Sequence, residues 1–289
     1  MVEEIPALKN QCINRLRLCL QGYSADRAIS DIEIPLKLSQ GRFPVLYQSA
    51  IAHRLTTGFN QSAITIATQL VGQIQSKSTE FFLFPDPLEN GLGHPDFTLQ
   101  VMPSGMILLE LTDIGLANWL QQMIQIVPID TQTSPSPDFP DSLFAVQYSH
   151  ARCCSLLGRA HQEGLITLTP LEGNTTSILW RLSHPHDFPW LTPTQQLQFS
   201  HPAELALIIQ LITIADCYCQ TSSNPNWKQL ADNLSQTFQQ FYSQCQIWGN
   251  VKQQTPQLAI ARLGLVWITQ WLLRLILQEQ LNVIAPLEL

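Results

Sequence analysis

An α+β domain followed by an all-α helical bundle is the fold class that the sequence predicts, and three observations predict it. Strand-like alternation of apolar and polar residues is concentrated in the first third of the chain. Fourteen residues, Val127–Pro140, then hold four prolines among small polar residues. Beyond them, apolar residues recur at three- and four-residue spacing over four long stretches, the period of amphipathic helices.

Taken in order, Ile5, Leu8, Cys12, Leu16 and Cys19 predict a first helix, with Gly22 where it would stop. Ile32, Ile34, Leu36 and Leu38 alternate with Glu33, Pro35 and Lys37, which predicts a strand. Pro35 has no N–H to donate, so that strand belongs at a sheet edge. Helical spacing returns over Tyr47–Thr57 and again in Ile64, Ala67, Val71 and Ile74, with Asn60 or Ser62 available as an N-cap. Phe81–Phe84 reads as a strand. Asp96–Val101 and Met106–Leu111 predict a hairpin across Pro103, Ser104 and Gly105. Thr112 or Asp113 can then cap a helix that buries Leu116, Trp119, Leu120 and Met123. These elements make an α+β domain over residues 1–126, with a small antiparallel sheet.

Residues 127–141 read as a linker, because prolines and small polar residues neither continue a helix nor pack a core. Residues 142–289 are mostly helical: Leu143–His161, Ala203–Gln220, Trp227–Trp248 and Gln257–Leu281. Four amphipathic helices suit a bundle. The Pro-, Gly- and Thr-rich stretch from Gly164 to Pro193 leaves room for a short hairpin.

Composition narrows the function. The 289 residues are 45% hydrophobic but only 13% charged, so the polar surface must draw heavily on the 32 glutamines. A net charge of −7 excludes a strongly cationic nucleic-acid binder while leaving room for a local basic patch, and no DNA partner is expected. The seven cysteines are odd in number and scattered, and Met-Val-Glu-Glu-Ile-Pro does not look like a secretory leader. Reduced thiols in a cytoplasmic protein are the expectation. The apolar stretches Leu205–Ala215 and Leu263–Leu277 are interrupted by Gln210, Gln270 and Arg274, so no membrane partner is expected either.

Phe144-Ala-Val-Gln-Tyr-Ser-His-Ala-Arg-Cys-Cys-Ser-Leu-Leu-Gly-Arg-Ala160 resembles the segment that opens the anticodon-binding domain of arginyl-tRNA synthetases, with its Val-Gln-Tyr-Ala-His-Ala-Arg-like core. Phe238-Gln-Gln-Phe-Tyr-Ser-Gln-Cys-Gln-Ile247 is similar to that domain's Phe-x-x-Phe-Tyr-x-x-Cys-x-Val helix. Ala261-Arg-Leu-Gly-Leu265 and the tail Leu281–Leu289 resemble its closing helix and its Leu-Gly-Ile-x-Ala-Pro-Glu-x-Met end. The resemblance implies a DALR-type anticodon-binding bundle over residues 142–289. More weakly, Tyr47–Leu55, Ala67–Ile74, Asp96–Leu99 and Leu116–Leu120 follow the order of the synthetases' additional N-terminal domain, which is implied to contact the tRNA elbow. There the family's Gly-Asp-Tyr-x-x-Asn pattern has become Phe43-Pro-Val-Leu-Tyr-Gln-Ser49, displacing its acid and amide.

The synthetases carry a nucleotide-binding catalytic domain between these two regions, where this chain has its linker. The sequence contains no H-x-G-H element, no K-M-S-K-S-like loop and no glycine-rich phosphate cradle. No catalytic residues, no cofactor and no metal are therefore expected. His184-Pro-His186 and Cys217-Tyr-Cys219 lack the spacing that chelates zinc well.

The resemblance points to a non-catalytic tRNA-binding protein, with arginine tRNA the first candidate. Its RNA-binding residues would be Tyr148, Arg152, Arg159, Tyr242, Lys252 and Leu289. Arg152 and Arg159 are seven apart and share a helix face with Tyr148, which suits phosphates and unstacked bases. Each residue also has an ordinary reading, the arginines as solvated surface and the tyrosines as core. The helical region holds seven cations against eight acids, and Glu288 replaces the family's basic residue in the tail. Those features favour a second reading, a protein-interaction or regulatory module whose partner could be a synthetase.

Overall fold

The computed structural model describes residues 5–23, 33–39, 43–76, 96–126, 140–170, 180–218 and 224–289. Its contacts divide the chain into two compact units, Pro6–Trp119 and one built on Leu120–Leu289. The expected strand Phe81–Phe84 and nearly all of the linker lie outside the described residues.

The first unit is α+β. Its sheet has four antiparallel strands, β1 (Leu36–Leu38), β2 (Leu46–Ser49), β3 (Phe97–Val101) and β4 (Ile107–Leu111), in the order β1-β2-β4-β3. The strand that follows Pro35 is at an edge, as its missing donor requires. β3 and β4 form the expected hairpin, closed by Met102 N–H on Met106 O (2.8 Å), with Gly105 at φ +84°. Helices α1 (Leu8–Tyr23), α2 (Ile51–Phe59), α3 (Ala63–Ser76) and α4 (Asp113–Gln125) complete the elements. α1 runs one residue past Gly22. Ser62 caps α3 by accepting from Thr65 N–H, and Thr112 caps α4 by accepting from Gly115 N–H (3.0 Å).

One sequence expectation is corrected here. Tyr47–Ser49 is not helical but forms the interior strand β2, where Tyr47 pairs with Leu109 and is 1% exposed. The helical pattern belongs only to residues from Ile51 onward, and Ser49 Oγ accepts from Ile51 N–H at the switch. The motif residues Asp96 and Asn118 are joined to each other, Asn118 Nδ2 donating to Asp96 Oδ1 at 3.0 Å. Asp96 is fully buried, and a Cβ at Gly115 would overlap its carbonyl.

The second unit is mainly helical: α5 (Phe144–Gln162), α6 (Pro202–Tyr218), α7 (Trp227–Gln244), α8 (Asn250–Gln254) and α9 (Pro256–Leu275). A two-stranded hairpin, β5 (Thr167–Pro170) with β6 (Trp180–His184), fills the Pro- and Gly-rich stretch after α5. α9 packs against α5, α6 and α7, and its last turn widens into a π-type turn over Ile276–Gln280. Pro256–Gln280 is long and apolar enough to cross a membrane, but 78% of its apolar window is buried within the protein. The division between units falls inside α4, earlier than residue 126. Gln121 takes its partners from the second unit: its Oε1 accepts from Phe188 N–H and Trp190 Nε1–H, each at 3.0 Å.

A buried ion pair organises the bundle. Arg262 on α9 donates through Nε to Glu204 Oε1 at 2.7 Å, with the two side chains 9% and 1% exposed. Glu204 Oε2 accepts from the backbone N–H groups of Ser200 and His201 at 3.0 and 2.8 Å, closing a capping box at the start of α6. Arg262 Nη1 donates to Gln246 O, the carbonyl just beyond α7. Glu204 is thus supplied with donors on both oxygens, which a buried carboxylate requires.

Removing one partner strands the other in the core. Arg262→Ala should lower the unfolding free energy of the helical unit by roughly 3–5 kcal/mol in urea titrations. Arg54→Ala, which breaks the exposed Arg54–Glu33 pair of the first unit, should cost under about 1 kcal/mol. Equal costs would contradict the organising role of Arg262.

Candidate nucleic-acid interface

The interface begins with polar side chains that fix the register of α5 against α7. Ser235 Oγ donates to Ala145 O (2.9 Å), Ser149 Oγ bonds Ser235 Oγ (2.7 Å), and Gln239 Nε2 donates to Ser149 Oγ (3.2 Å). Val146, Ser149, Ala151, Cys153, Leu156, Leu157 and Ala160 point α5 inward. That leaves Phe144, Tyr148, Arg152 and Arg159 along the opposite side, at the spacings that share one helix face. Their positions run about 22 Å along the helix axis.

Aromatic and cationic groups alternate along this stripe. Phe144 and Tyr148 are 57% and 44% exposed and stack on each other, with centroids 6.3 Å apart. Arg152 donates to the Tyr242 hydroxyl, its guanidinium carbon 4.7 Å from that ring's centroid. Tyr148, Arg152, Phe238 and Tyr242 line a shallow groove of about 150 Å³. Farther along, the Arg159 guanidinium lies 4.5 Å from the centroid of Trp248. Glu163 accepts from Arg159 Nε through one oxygen (2.7 Å) and from Lys252 Nζ through the other (2.8 Å). Hydrogen bonds from Lys252 and then Arg159 hold its carboxyl below the usual range. Arg152 meets no carboxylate among the described residues, so the stripe carries a net positive charge within an acidic protein.

The inner face of α5 anchors the C-terminal tail. Gln147 Nε2 donates to Ile284 O at 3.1 Å, and His150 Nδ1 bonds Pro286 O at 2.8 Å. The proton must be on Nδ1 to meet a carbonyl, so Nε2 accepts from Gln270 Nε2 at 2.8 Å. His150 is 1% exposed, and burial lowers its pKa to about 4, so the ring is neutral at pH 7.

The family comparison bears directly on this geometry, because Tyr148, Arg152 and Arg159 of the stripe, α7 and the tail as far as Pro286 lie within the matched region. Residues 146–286 match the DALR anticodon binding domain. Two curated relatives are similar in sequence. The arginine–tRNA ligase of Gloeobacter violaceus is 31% identical over 173 residues, 57% of this chain and 26% of the relative. That of Synechococcus sp. is 28% identical over 189 residues, 62% of this chain and 29% of the relative. The matched stretches thus span less than a third of either ligase. No solved structure gives a significant match.

The residues expected from sequence separate into groups. Tyr148, Arg152 and Tyr242 converge on one groove, and both tyrosines are surface rather than core. Arg159 and Lys252 meet around Glu163. Leu289 is 55% exposed at the end of the tail and is not among the residues lining the groove. Phe144, Glu163 and Trp248 were not anticipated. Phe144 and Glu163 carried a signal, four residues before Tyr148 and four after Arg159; Trp248 carried none. Among the described residues no three His, Cys, Asp or Glu side chains gather to hold a metal, and Cys219 lies outside them. Burial pushes Cys153 up, and Cys154 up to about 12, so neither thiol ionises at neutral pH.

The tail anchor is pH-dependent. The folded-state pKa of His150 lies below its unfolded value of 6.5, so the stability it confers is present above pH 6.5 and is lost as pH falls toward 4. Between pH 7 and pH 5 the expected loss is about 2 kcal/mol. Urea unfolding at those two pH values should show that increment in the parent and not in His150→Gln.

Proposed function

We propose that this chain is a non-catalytic tRNA-binding protein that holds the anticodon arm on the stripe of α5 and α7, with arginine tRNA the first candidate. The alternation of Tyr148, Arg152–Tyr242 and Arg159–Trp248 carries the reading. A single-stranded loop is held by cations on its phosphates and aromatic faces under its unstacked bases, and the stripe offers both. The DALR match over residues 146–286 and the similarity to two arginine–tRNA ligases support the same partner. The non-catalytic part rests on the sequence. The fifteen residues 127–141 join two synthetase-like regions and are too few for a catalytic domain of even about 50 residues.

One observation favours the alternative of a protein-binding module. Glu163 engages both Arg159 and Lys252, and a carboxylate beside a phosphate backbone is unfavourable. The two readings differ in their salt dependence and their dependence on the anticodon.

Fluorescence anisotropy with labelled arginine tRNA at about 0.15 M salt tests the proposal, beside a non-cognate tRNA and an anticodon-loop variant. Binding at micromolar concentration or tighter is expected, weakened by the loop change. Tyr148→Ala should weaken it about tenfold, as loss of one stacked base implies. Arg152→Ala should flatten the salt slope by about one unit. Weak binding, equal for all three RNAs and unaffected by either substitution, would refute the reading and leave the protein-binding module.

A further inference from the structure

We propose that Glu163 is a specificity determinant of the stripe, an acid that withholds Arg159 and Lys252 from phosphates so that RNAs lacking the right loop are not held. The inference rests on the tRNA reading above and names the residue that restricts it.

The stripe presents one arrangement twice. Arg152 and Arg159 both stand on α5, and each guanidinium lies over an aromatic ring, at 4.7 Å from Tyr242 and 4.5 Å from Trp248. They differ in what else meets the charge. Arg152 meets no carboxylate among the described residues, whereas Arg159 Nε donates to Glu163 Oε1 at 2.7 Å. Lys252, brought in on α8, donates to Glu163 Oε2 at 2.8 Å. One carboxylate thus spends both oxygens on two cations of the expected RNA-binding set.

The needs of α5 do not explain an acid at this position. Glu163 is the C-cap residue of α5. The helix dipole is negative there, which disfavours a carboxylate and favours bases such as Arg159 and His161 in the last turn. Arg followed four residues later by Glu is also the weaker order for an ion pair along a helix. Burial does not demand the pairing either, since the Arg159 side chain is 57% exposed, and exposed pairs add little stability. What Glu163 does change is the charge offered to a ligand. Arg159, Lys252 and Glu163 together carry one positive charge, and without the acid they would carry two.

That difference bears on discrimination. Every RNA has phosphates, so a contact to phosphate adds affinity without reading the bases. Engaging two of the three cations with a carboxylate removes such contacts and leaves recognition to Tyr148, Tyr242 and Arg152. Specificity is then built with a repulsive element beside the attractive one.

Fluorescence anisotropy of the full chain and of Glu163→Gln tests the proposal, with labelled arginine tRNA, its anticodon-loop variant and a non-cognate tRNA over a series of salt concentrations. Glutamine keeps the side chain's shape and removes its charge. The non-cognate tRNA should bind Glu163→Gln about tenfold tighter than the parent. Its slope of log affinity against log salt should steepen by about 0.7 to 1.4, one or two further phosphates of a single strand. An RNA not fixed by its bases can shift until its phosphates meet the freed cations, so the preference for arginine tRNA should narrow. Glu163→Ala should agree with Glu163→Gln, and adding Lys252→Met to Glu163→Gln should take back about 0.7 of the slope.

Unchanged or weaker binding of the non-cognate tRNA, with an unchanged slope, would overturn the proposal and leave Glu163 as a tether between α5 and α8. A gain confined to arginine tRNA would overturn it too. Anticodon-dependent binding by the parent, with Glu163→Gln indistinguishable from it, sinks this inference and keeps the tRNA reading. Parent binding that ignores the anticodon, with a salt-sensitive gain for all three RNAs in Glu163→Gln, sinks the tRNA reading and keeps the restraint by Glu163.

Discussion

The helical unit depends on Arg262 being satisfied in the core. Its guanidinium reaches Glu204 at the start of α6 and the carbonyl of Gln246 beyond the end of α7, so three elements are fixed by one side chain of α9. The penalty for leaving either charge unpaired makes the arrangement all or none, and a buried pair of this kind gives specificity of position more than net stability. The connection that carries Trp248 and Lys252 follows directly from Gln246, so their approach to α5 depends on that anchor. Gly264, two residues on, lets the Trp190 and Phe188 rings come against α9, and Gln121 holds both of those residues.

Two faces of α5 then do different work. Inward, Ser149 sets the register with α7, and Gln147 and His150 hold the tail. Outward, the same register brings Tyr242 under Arg152. Because the two sets are interleaved at helical spacing, the outward stripe is positioned by the same helix that packs the core. The low charge of the protein as a whole gives this local pattern its weight. In the stripe Arg152 and Arg159 each lie against an aromatic ring, and under the proposed function affinity for RNA would come from stacking as much as from long-range attraction.

Much of this was legible in the sequence. The amphipathic helices, the β3–β4 hairpin, the edge strand after Pro35 and the caps Ser62 and Thr112 follow local rules of spacing, donors and turn geometry, and the structure contains them. The strand β2 was misread because it is four residues long and turns into a helix one residue later, so a single window mixed two periods. The outward stripe on α5 was partly legible, since Tyr148, Arg152 and Arg159 share a face of one helix. The ring beneath Arg159 was not, since Trp248 is distant in sequence.

The sequence by itself determined the order of the elements, the α5 face that bears the stripe and the motifs that match the DALR region, because each depends on neighbours within a few residues. Only the tertiary structure decided which carboxylate meets Arg262, that Glu163 engages two cations, and that Gly264 lies against the Trp190 and Phe188 rings. Those outcomes depend on distances between segments far apart in the chain, which local periodicity does not encode.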